Sequence, residues 1–429
     1  MSKIKEARKY KNKYGYFTAD GDEYVITNPR TPRPWINVNC NENYGYIVSQ
    51  TGSGFSWYGN SQLARLNTWH QDLIKDDNGK YFYIRDNRTK KIWSTTWKPT
   101  CFKYKSYEAR YGLGYTRFTT IFNNVKIEQL SFVPRKDACE IHTIKCTNLG
   151  RSTKDLSIFS YLEWCLGNGT DTHREFQKTF IETTIDRQLG AVLARKRAAL
   201  VPGFISTGAK DFPLSAFVAL VNQKPVAYDG DKETFVGMYG TLLAPAAVKE
   251  GKLSNKRDVE KWGDACSALQ TDMTVKAGGT KELVFVIGRV VDFKQAASYI
   301  KKYRNKENVK KELNKMKLFW DRLTNASWIK TPDEAMDFVT NKWYRYQALT
   351  ARMWAKSAYY QCSGGIGFRD QLQDSNCFLE SDPVITKDQI LLHAEQMFPD
   401  GTVFHWWHPG TGIGARTEMT DDLLWLALL

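Results

Sequence analysis

The feature that most constrains the fold of this chain is a change of hydrophobic period near Asp292. From about residue 14 to 290, short segments alternate apolar and polar side chains. That two-residue period is typical of β-strands with one buried face. The segment LSIFSYLEWCL (156–166) shows it clearly. The apolar residues that share one face of this segment are Leu156, Ile158, Leu162, Trp164 and Leu166.

Two further segments extend the strand pattern. VKIEQLSFV (125–133) alternates and then slips phase at Gln129, which predicts a β-bulge. KELVFVIGRV (281–290) follows the turn at 277–280 and is predicted to be a strand buried inside a sandwich. Many short strands without intervening helical periods predict a large antiparallel β-sandwich over residues 1–290.

Beyond Asp292 the apolar residues recur at steps of three and four, which is the period of an α-helix. Lysines lie between them, as expected for a helix with one exposed side. The pattern therefore predicts a helical linker over residues 291–330. Its apolar positions are Val309, Leu313, Met316, Trp320 and Leu323.

Residues 331–429 are predicted to be helical, with glycine-rich loops between the helices. TPDE (331–334) offers Thr331 as an N-cap, proline at the first helical position and a glutamate that closes a capping box. TKDQ (386–389) is a second capping box, and TDD (420–422) is predicted to cap the last helix.

The last predicted helix, LLWLALL (423–429), is apolar on all sides, and such a helix must be buried. Three or four predicted helices after residue 331 are too few to close a barrel. The sequence is therefore expected to be cut off inside a helical domain, unless another chain completes the wall. An open apolar edge of this kind also predicts poor solubility or association.

Size and composition exclude several classes of protein. With 429 residues and 42% hydrophobic residues, the chain can form two or more packed domains. It has no run of about 18 apolar residues that could cross a membrane and no secretory signal. The eight cysteines form no CxxC pair and show no metal-ligand spacing with the six histidines. We therefore expect a cytoplasmic protein with free thiols and no metal.

The net charge of +15 is concentrated in residues 1–15 and 301–317. A basic chain can bind nucleic acid, an anionic membrane or an anionic substrate. A basic leader and a solvated helix face explain the charge better, because no DNA- or RNA-binding motif accompanies it. Neither a nucleic-acid partner nor a membrane is expected.

The segment GFRDQLQD (367–374) holds two carboxylates one helical turn apart, Asp370 and Asp374, with Arg369 beside the first. The upstream glycines place them at or near a helix N-terminus, where free N–H groups and the helix dipole favour the charged form. Such a carboxylate is a poor general acid but a good acceptor for sugar hydroxyls. For Asp374, helix capping is the alternative.

The segment FHWWHP (404–409) precedes a glycine-rich loop. Paired tryptophans there suit a platform for a sugar ring, so that Trp406 is a candidate binding residue. Packing of the rings under the loop is the alternative. Two histidines three residues apart could bind a metal, but Pro409 and the absence of further ligands argue against it.

Together these motifs resemble glycoside hydrolase family 94, which comprises the cellobiose, cellodextrin and chitobiose phosphorylases. The resemblance covers nearly the whole chain, with the motifs in the same order. It implies an N-terminal β-sandwich, a helical linker and, from residue 331, the first part of an (α/α)6 barrel. The segments that carry it are YGYF (14–17), EYVITNPRTPRPWINV (23–38), YEARYGLGYTRF (107–118), GFRDQLQD and HWWHP…ARTEMTDDLLWL.

The resemblance also implies a reaction, the inverting phosphorolysis of a cellobiose-like β-glucoside to an α-sugar 1-phosphate and a free sugar. Inorganic phosphate is the co-substrate, and no other cofactor is implied. Phosphate replaces the base-activated water of an inverting hydrolase, so that one catalytic carboxylic acid is enough. Cationic groups are needed to hold the phosphate.

Individual positions match the family's binding residues. Arg369 and Asp370 match residues that bind the transferred sugar. Gln177 and Lys178 match a sandwich loop that reaches the neighbouring subunit's site in a homodimer, although relatives carry arginine where this chain has lysine. Gly364 stands where some relatives have an arginine, which leaves the disaccharide open.

The family's general acid lies in an Asp-Trp-Asn-Asp motif, which these 429 residues lack. The resemblance therefore implies no catalytic acid in this chain, with the acid expected beyond Leu429. We expect the chain alone to be inactive in phosphorolysis. The alternative function is that of a non-catalytic carbohydrate-binding protein or an inactive fragment of such an enzyme.

Overall fold

The computed structural model describes residues 7–169, 175–197 and 215–429, and two sheets and a helical region make up most of it. The strands before residue 150 are β1 (Arg8–Lys9), β2 (Gly15–Thr18), β3 (Glu23–Ile26), β4 (Ile36–Cys40), β5 (Tyr44–Ser49), β6 (Gly54–Tyr58), β7 (Arg65–Asn67), β8 (Tyr81–Asp86), β9 (Ile92–Ser94), β10 (Ser106–Gly112), β11 (Tyr115–Phe122), β12 (Val125–Phe132) and β13 (Cys139–Asn148).

The later strands of the sandwich are β14 (Lys154–Gly167), β15 (Ile181–Asp186), β16 (Ala191–Lys196), β17 (Ser215–Leu220), β18 (Ala227–Asp231), β19 (Val259–Glu260), β20 (Ala265–Val275) and β21 (Thr280–Val290). A small third sheet consists of β22 (Ile366–Gly367), β23 (Phe404–Trp407) and β24 (Gly414–Arg416).

Helices α1 (Lys232–Val236) and α2 (Ala246–Glu250) interrupt the sandwich, which the sequence pattern did not predict. The remaining helices are α3 (Phe293–Arg304), α4 (Lys306–Asn325), α5 (Glu334–Phe338), α6 (Arg345–Gln347), α7 (Phe368–Ser375), α8 (Pro383–Ala394) and α9 (Thr420–Leu428). Helical turns with a wider, π-type pitch join α5 to α6 (Val339–Tyr344) and extend α6 to residue 354 (Ala348–Trp354). No helix among the described residues is both long and apolar enough to cross a bilayer.

The two large sheets are antiparallel, as predicted. In the described residues one sheet has twelve strands in the order β1-β2-β3-β10-β11-β12-β13-β21-β17-β16-β15-β19. The other has nine, with β18-β20-β14-β7-β6-β5-β4 in line and β8 and β9 beside β14. The chain is therefore an N-terminal sandwich followed by a helical region.

The main core lies between the sheets. The predicted face of β14 is buried there, and both faces of β21 are covered. The outer face of the twelve-stranded sheet packs against α3 and α4 in a second core. The linker residues Val309, Met316, Trp320 and Leu323 are buried in it, which confirms the predicted helical face.

The change of period coincides with a helix cap. The last strand, β21, ends at Val290, and the carboxylate of Asp292 accepts a hydrogen bond of 2.8 Å from the backbone N–H of Gln295. An aspartate at this position satisfies an N–H group that the first helical turn leaves free. The sequence signal at Asp292 thus has a local physical cause.

The predicted bulge at Gln129 is wrong. β12 pairs with β11 and β13 in unbroken register from Val125 to Phe132. Gln129 is a buried, inward-facing polar residue, since Thr95 donates to its amide oxygen and its amide nitrogen lies 3.3 Å from Nδ1 of His142. A polar residue at an inward position interrupts the apolar/polar alternation of the sequence in the same way as a bulge, although the strand itself is regular.

The three predicted helix starts are also shifted. Asp333, not Thr331, caps α5, and accepts from the N–H groups of Ala335 and Met336. Helix α8 starts at Pro383, so that Thr386 lies inside it, buried, and donates to the carbonyl of Ser375. Helix α9 has no side-chain cap. Proline and aspartate compete with threonine for these positions, and sequence alone does not decide between them.

The all-apolar helix α9 is not buried on all sides. Trp425, Leu426 and Leu429 pack on a small core with Phe368 and Leu372 of α7. The leucines on the opposite side are exposed, which contradicts the expectation that every face is covered. These exposed leucines are Leu423, Leu424 and Leu428.

Candidate functional site

A cavity of about 380 Å³ lies where a sandwich loop meets the helical region. It contains two of the predicted binding residues, Asp370 and Trp406. The sandwich contributes Gln62. The other lining residues come from the segment after α6, from the start of α7 and from β23: Ala351, Arg352, Lys356, Ser357, Ala358, Gln361, Ser363, Gly365, Gly367, Gln371, His405 and His408.

Helix α7 positions Asp370. The helix begins after Gly367, where a Cβ atom would lie 2.7 Å from Oδ2 of Asp370, so that a larger residue would displace the carboxylate. The buried Gln371 accepts a hydrogen bond of 2.6 Å from the N–H of Gly367. Asp370 is thereby held in the first turn of α7, as predicted, whereas Asp374 is in its last turn and not near the N-terminus.

Arg352 joins the two aspartates. Its Nε lies 2.6 Å from Oδ2 of Asp374, and its Nη2 lies 3.7 Å from Oδ2 of Asp370. The carboxylates are therefore compensated by one guanidinium group instead of forming an acid/base pair with each other. No sequence pattern pointed to Arg352, because it is distant from Asp370 in the chain and is brought close only by packing.

Arg369 points elsewhere. Its Nη1 forms an ion pair of 2.7 Å with Asp421 in the first turn of α9, and its Nε is 3.9 Å from Asp370. The bond to Asp421 raises the pKa of Arg369, and in turn the arginine lowers the pKa of Asp421. Arg369 is not among the residues that line the cavity. It fixes α7 against α9.

Lys356 is a second cation of the cavity that the sequence did not single out. Its backbone is left-handed, with φ of 48°, and its Nζ donates to the carbonyl of Trp354 at 3.2 Å. Burial of the ammonium group lowers the pKa of Lys356 to about 8. Lys356 and Arg352 give the cavity two cationic groups near Asp370.

The histidines are held by polar partners. Nδ1 of His405 lies 2.8 Å from Oδ2 of Asp422, which is only 1% exposed. Burial lowers the pKa of His408, whose Nδ1 lies 3.2 Å from the amide nitrogen of Asn60. Trp406 is 40% exposed at the cavity, as a sugar platform requires.

The sandwich loop at 60–62 is part of the wall. The amide of Asn60 donates to the carbonyl of Gly364 at 3.0 Å, and the hydroxyl of Ser61 donates to that of Ala355 at 2.8 Å. At Gly364, with φ of 63°, a Cβ would lie 2.1 Å from Oδ1 of Asn60. Glycine at this position permits the close approach of the two regions.

Lys178 lies outside the cavity. It forms ion pairs with Glu163 and, at 3.3 Å, with Asp264, and Lys232 bridges the same two carboxylates. The side chain of Gln177 lies outside the described part of the chain. The assignment of both residues to a neighbouring subunit's site stays a prediction.

Two family models match the chain. The model described as the glycosyl hydrolase 94 supersandwich domain matches residues 22–306, and that of the glycosyl hydrolase 94 superfamily catalytic domain matches residues 319–427. Together they span both the sandwich and the helical region that form the cavity.

Similar proteins include a synthase and several phosphorylases. The cyclic β-(1,2)-glucan synthase NdvB of Rhizobium meliloti is 34% identical over 97% of this chain and 14% of its own length. N,N'-diacetylchitobiose phosphorylase of Vibrio proteolyticus is 26% identical over 88% of this chain. The chain spans 46% of that phosphorylase, so it corresponds to about half of such a protein.

A solved structure has the same fold. It is described as a candidate kojibiose phosphorylase from the human microbiome, and it superposes with a TM-score of 0.55 at 12% identity. The match covers 92% of this chain and 50% of the other. At this identity the likeness concerns the fold and not the reaction.

Proposed function

This chain belongs to the glycosyl hydrolase 94 family, and we propose that its cavity serves the inverting phosphorolysis of a β-linked glucose disaccharide or oligosaccharide. In this reaction a phosphate oxygen attacks the anomeric carbon from the face opposite the glycosidic bond. The bond to the leaving oxygen breaks, and that oxygen takes a proton from a carboxylic acid. The products are an α-sugar 1-phosphate and a free sugar.

The observation that carries this proposal is the pairing of sugar-binding and cationic groups in one cavity. Asp370 can accept hydrogen bonds from the hydroxyls of the transferred sugar, and Trp406 offers a ring face to the sugar. Arg352 and Lys356 can hold the phosphate beside them.

We propose that neither Asp370 nor Asp374 is the proton donor. Arg352 forms ion pairs with both Asp370 and Asp374, which supports a binding role for these carboxylates, and the Asp-Trp-Asn-Asp motif that carries the family's proton donor is absent from these 429 residues. We therefore expect the 429-residue chain to bind sugar without phosphorolytic turnover. A carbohydrate-binding role without catalysis is the second candidate, and the same ion pairs favour it.

Two linkages are candidates for the substrate. The resemblance of the motifs favours a cellobiose-like β-glucoside. The relative with 34% identity is named for a β-(1,2)-glucan, which makes a β-(1,2)-linked glucose oligomer the other candidate. Phosphorolysis of either substrate is the same type of reaction, so that the affinities for the two sugars can be compared on one protein.

Calorimetric titration with glucose, cellobiose and a β-(1,2)-linked glucose disaccharide tests the binding. Asp370→Asn should weaken binding of the preferred sugar about tenfold or more, since one charged hydrogen-bond acceptor contributes about 1.5–3 kcal/mol. Asp321→Asn, at an exposed carboxylate on α4, is the matched control and should leave binding unchanged.

Product analysis separates the two candidate functions. The chain is incubated with each disaccharide and phosphate, and sugar 1-phosphate is measured. Binding without product agrees with the carbohydrate-binding role of the isolated chain. Product formation would refute the absence of a proton donor, and no sugar binding at all would refute both candidates.

A further inference from the structure

A larger groove lies on the sandwich, away from the cavity. Its walls are formed mainly by residues 27–34, 73–76 and 97–108. Its main part measures about 890 Å³, and a continuation of about 220 Å³ shares Pro29, Arg30 and Trp97 with it. Neither part shares a lining residue with the cavity. We call the two parts together the basic groove.

The basic groove has an excess of positive charge. Within the described residues, seven cationic side chains of its lining form no ion pair with a carboxylate, and six of the seven are exposed. Cations in a trough raise the local potential, which attracts anions. The seven are Arg8, Arg30, Arg33, Lys75, Lys98, Lys103 and Lys105.

The nearby carboxylates do not cancel this charge. Glu108 is paired with Arg110 at 3.2 Å. Asp76 is buried and accepts hydrogen bonds from hydroxyl groups, including that of Tyr359 at 3.1 Å. The pKa of Asp72 is lowered first by hydrogen bonds from the backbone and then by the charge of neighbouring lysines. Asp72 and Asp76 are thus two carboxylates against seven unpaired cations, which leaves the groove with an excess of positive charge.

The walls of the groove are held rigidly. The N–H of Lys98 donates to the carbonyl of Thr51 at 2.8 Å, and the amide of Gln50 donates to the carbonyl of Pro29 at 2.9 Å. The hydroxyl of Tyr104 donates to the carbonyls of Ser94 and Thr96. A preformed wall lowers the entropic cost of binding, which distinguishes this groove from a set of mobile surface lysines.

An aromatic ring completes the groove. Trp97 is partly exposed, and two cations lie over its ring, with Arg30 5.8 Å and Lys98 5.7 Å from the centroid. Each cation thus stands beside an apolar face. A chain that alternates apolar ring faces with anionic groups would contact both.

We propose that the basic groove binds a linear acidic glycan, a saccharide chain that carries carboxylate or phosphate groups. A sugar ring has an apolar face that can pack on Trp97 while its anionic substituents approach the cations. A trough admits a single chain, whereas a flat bilayer surface would contact only the rim. Single-stranded nucleic acid also needs cations, but it is bound by several aromatic side chains on which successive bases stack. Phe102 and Tyr104 also line the groove, but both pack on the sandwich core, so that Trp97 is the ring of the described lining over which cations lie.

Fluorescence anisotropy with a labelled oligogalacturonate tests the proposal. The double variant Arg30→Glu/Lys103→Glu should weaken binding about tenfold or more at low salt, because attraction becomes repulsion at two positions. Arg304→Glu/Lys311→Glu changes the net charge equally on exposed positions of the linker helices and should change the affinity less than twofold. Equal losses in both variants, or no binding to the unaltered chain, would overturn the proposal.

Two further measurements identify the kind of ligand. Trp97→Ala should weaken oligogalacturonate binding several-fold if a sugar ring packs on the indole, and an unchanged affinity would contradict that contact. A single-stranded oligonucleotide of equal charge should bind more weakly than the glycan, whereas tighter binding would assign the groove to nucleic acid. Saturating glucose or cellobiose should not compete, because the cavity and the groove are separate. This result is independent of whether the cavity catalyses phosphorolysis.

Discussion

Lys356 shows how single residues set the chemistry of the cavity. Its ammonium group is partly buried, and this burial lowers the pKa of its side chain to about 8. An unperturbed lysine titrates near 10.4. In this protein, the charge of Lys356 is therefore lost within the range in which enzymes are commonly assayed.

We expect phosphate affinity to depend on pH through Lys356. Below pH 8 the ammonium form attracts phosphate, and as the pH rises through about 8 the neutral amine forms and the attraction is lost. Between pH 7 and 9 the dissociation constant should rise about tenfold, following the fraction of protonated amine. Calorimetric titration with phosphate measures it. Lys356→Arg should abolish this loss of affinity and leave only the change caused by the ionisation of phosphate itself, and an unchanged pH dependence in that variant would show that another group is responsible.

At the same scale, sequence patterns predicted some of the residues that line the cavity. Asp370 and Trp406 stand in motifs of charged or aromatic residues beside glycines, and both line the cavity. Arg352, Lys356 and Gln62 lie in segments without such a pattern, and packing alone brings them near Asp370. Arg369 lies beside Asp370 in sequence, yet it faces away because adjacent residues of a helix point in different directions.

At the scale of secondary-structure elements, the sandwich core contains a buried ionic cluster that no strand pattern predicted. It consists of Lys80, Glu140 and His142. Nζ of Lys80 lies 2.7 Å from Oε2 of Glu140, and Nε2 of His142 lies 3.0 Å from the same oxygen. Burial alone would raise the pKa of Glu140, but the charge of Lys80 and the hydrogen bond from His142 lower it to about 2. Strands β12 and β13 and the segment before β8 are thus linked by polar contacts between their inner faces.

Removal of one partner of this ion pair should cost more than removal of both. Lys80→Met leaves Glu140 buried without its cation and should destabilise the protein by about 3–5 kcal/mol. The double variant Lys80→Met/Glu140→Gln removes both charges and should recover about 2 kcal/mol of that loss. The free energy of unfolding in urea measures both. Additive effects of the two substitutions would contradict a direct coupling.

The element scale also explains which parts of the fold were predictable. Strand and helix periods identified β14, β21 and α4, because burial of one face leaves a regular pattern in the sequence. The predictions of the bulge and of the helix starts were wrong because the polar residues at these positions make tertiary contacts. Gln129 and Thr386 are both buried and hydrogen-bonded to distant segments, which a local pattern does not show.

At the scale of the whole molecule, exposed leucines on α9 are expected to govern solubility. Leu428 is 70% exposed, and apolar side chains on helix surfaces favour association. Leu428→Lys should reduce the fraction of associated protein in sedimentation velocity runs at several concentrations. Leu318→Lys, at a residue of α4 that is 66% exposed, is the matched control and should have little effect. A chain that stays monomeric at all concentrations would contradict the expectation.

The loop at residues 60–62 has a consequence for how such proteins diversify. It belongs to the sandwich, yet Gln62 lines the cavity and Asn60 approaches Gly364 of the helical region so closely that no side chain fits there. A recombination event that exchanged only the helical region would combine the helical side of one protein's cavity with the 60–62 loop of another. Substitutions at these positions are therefore expected to be inherited together, and an engineered change of specificity has to begin on both sides of this junction.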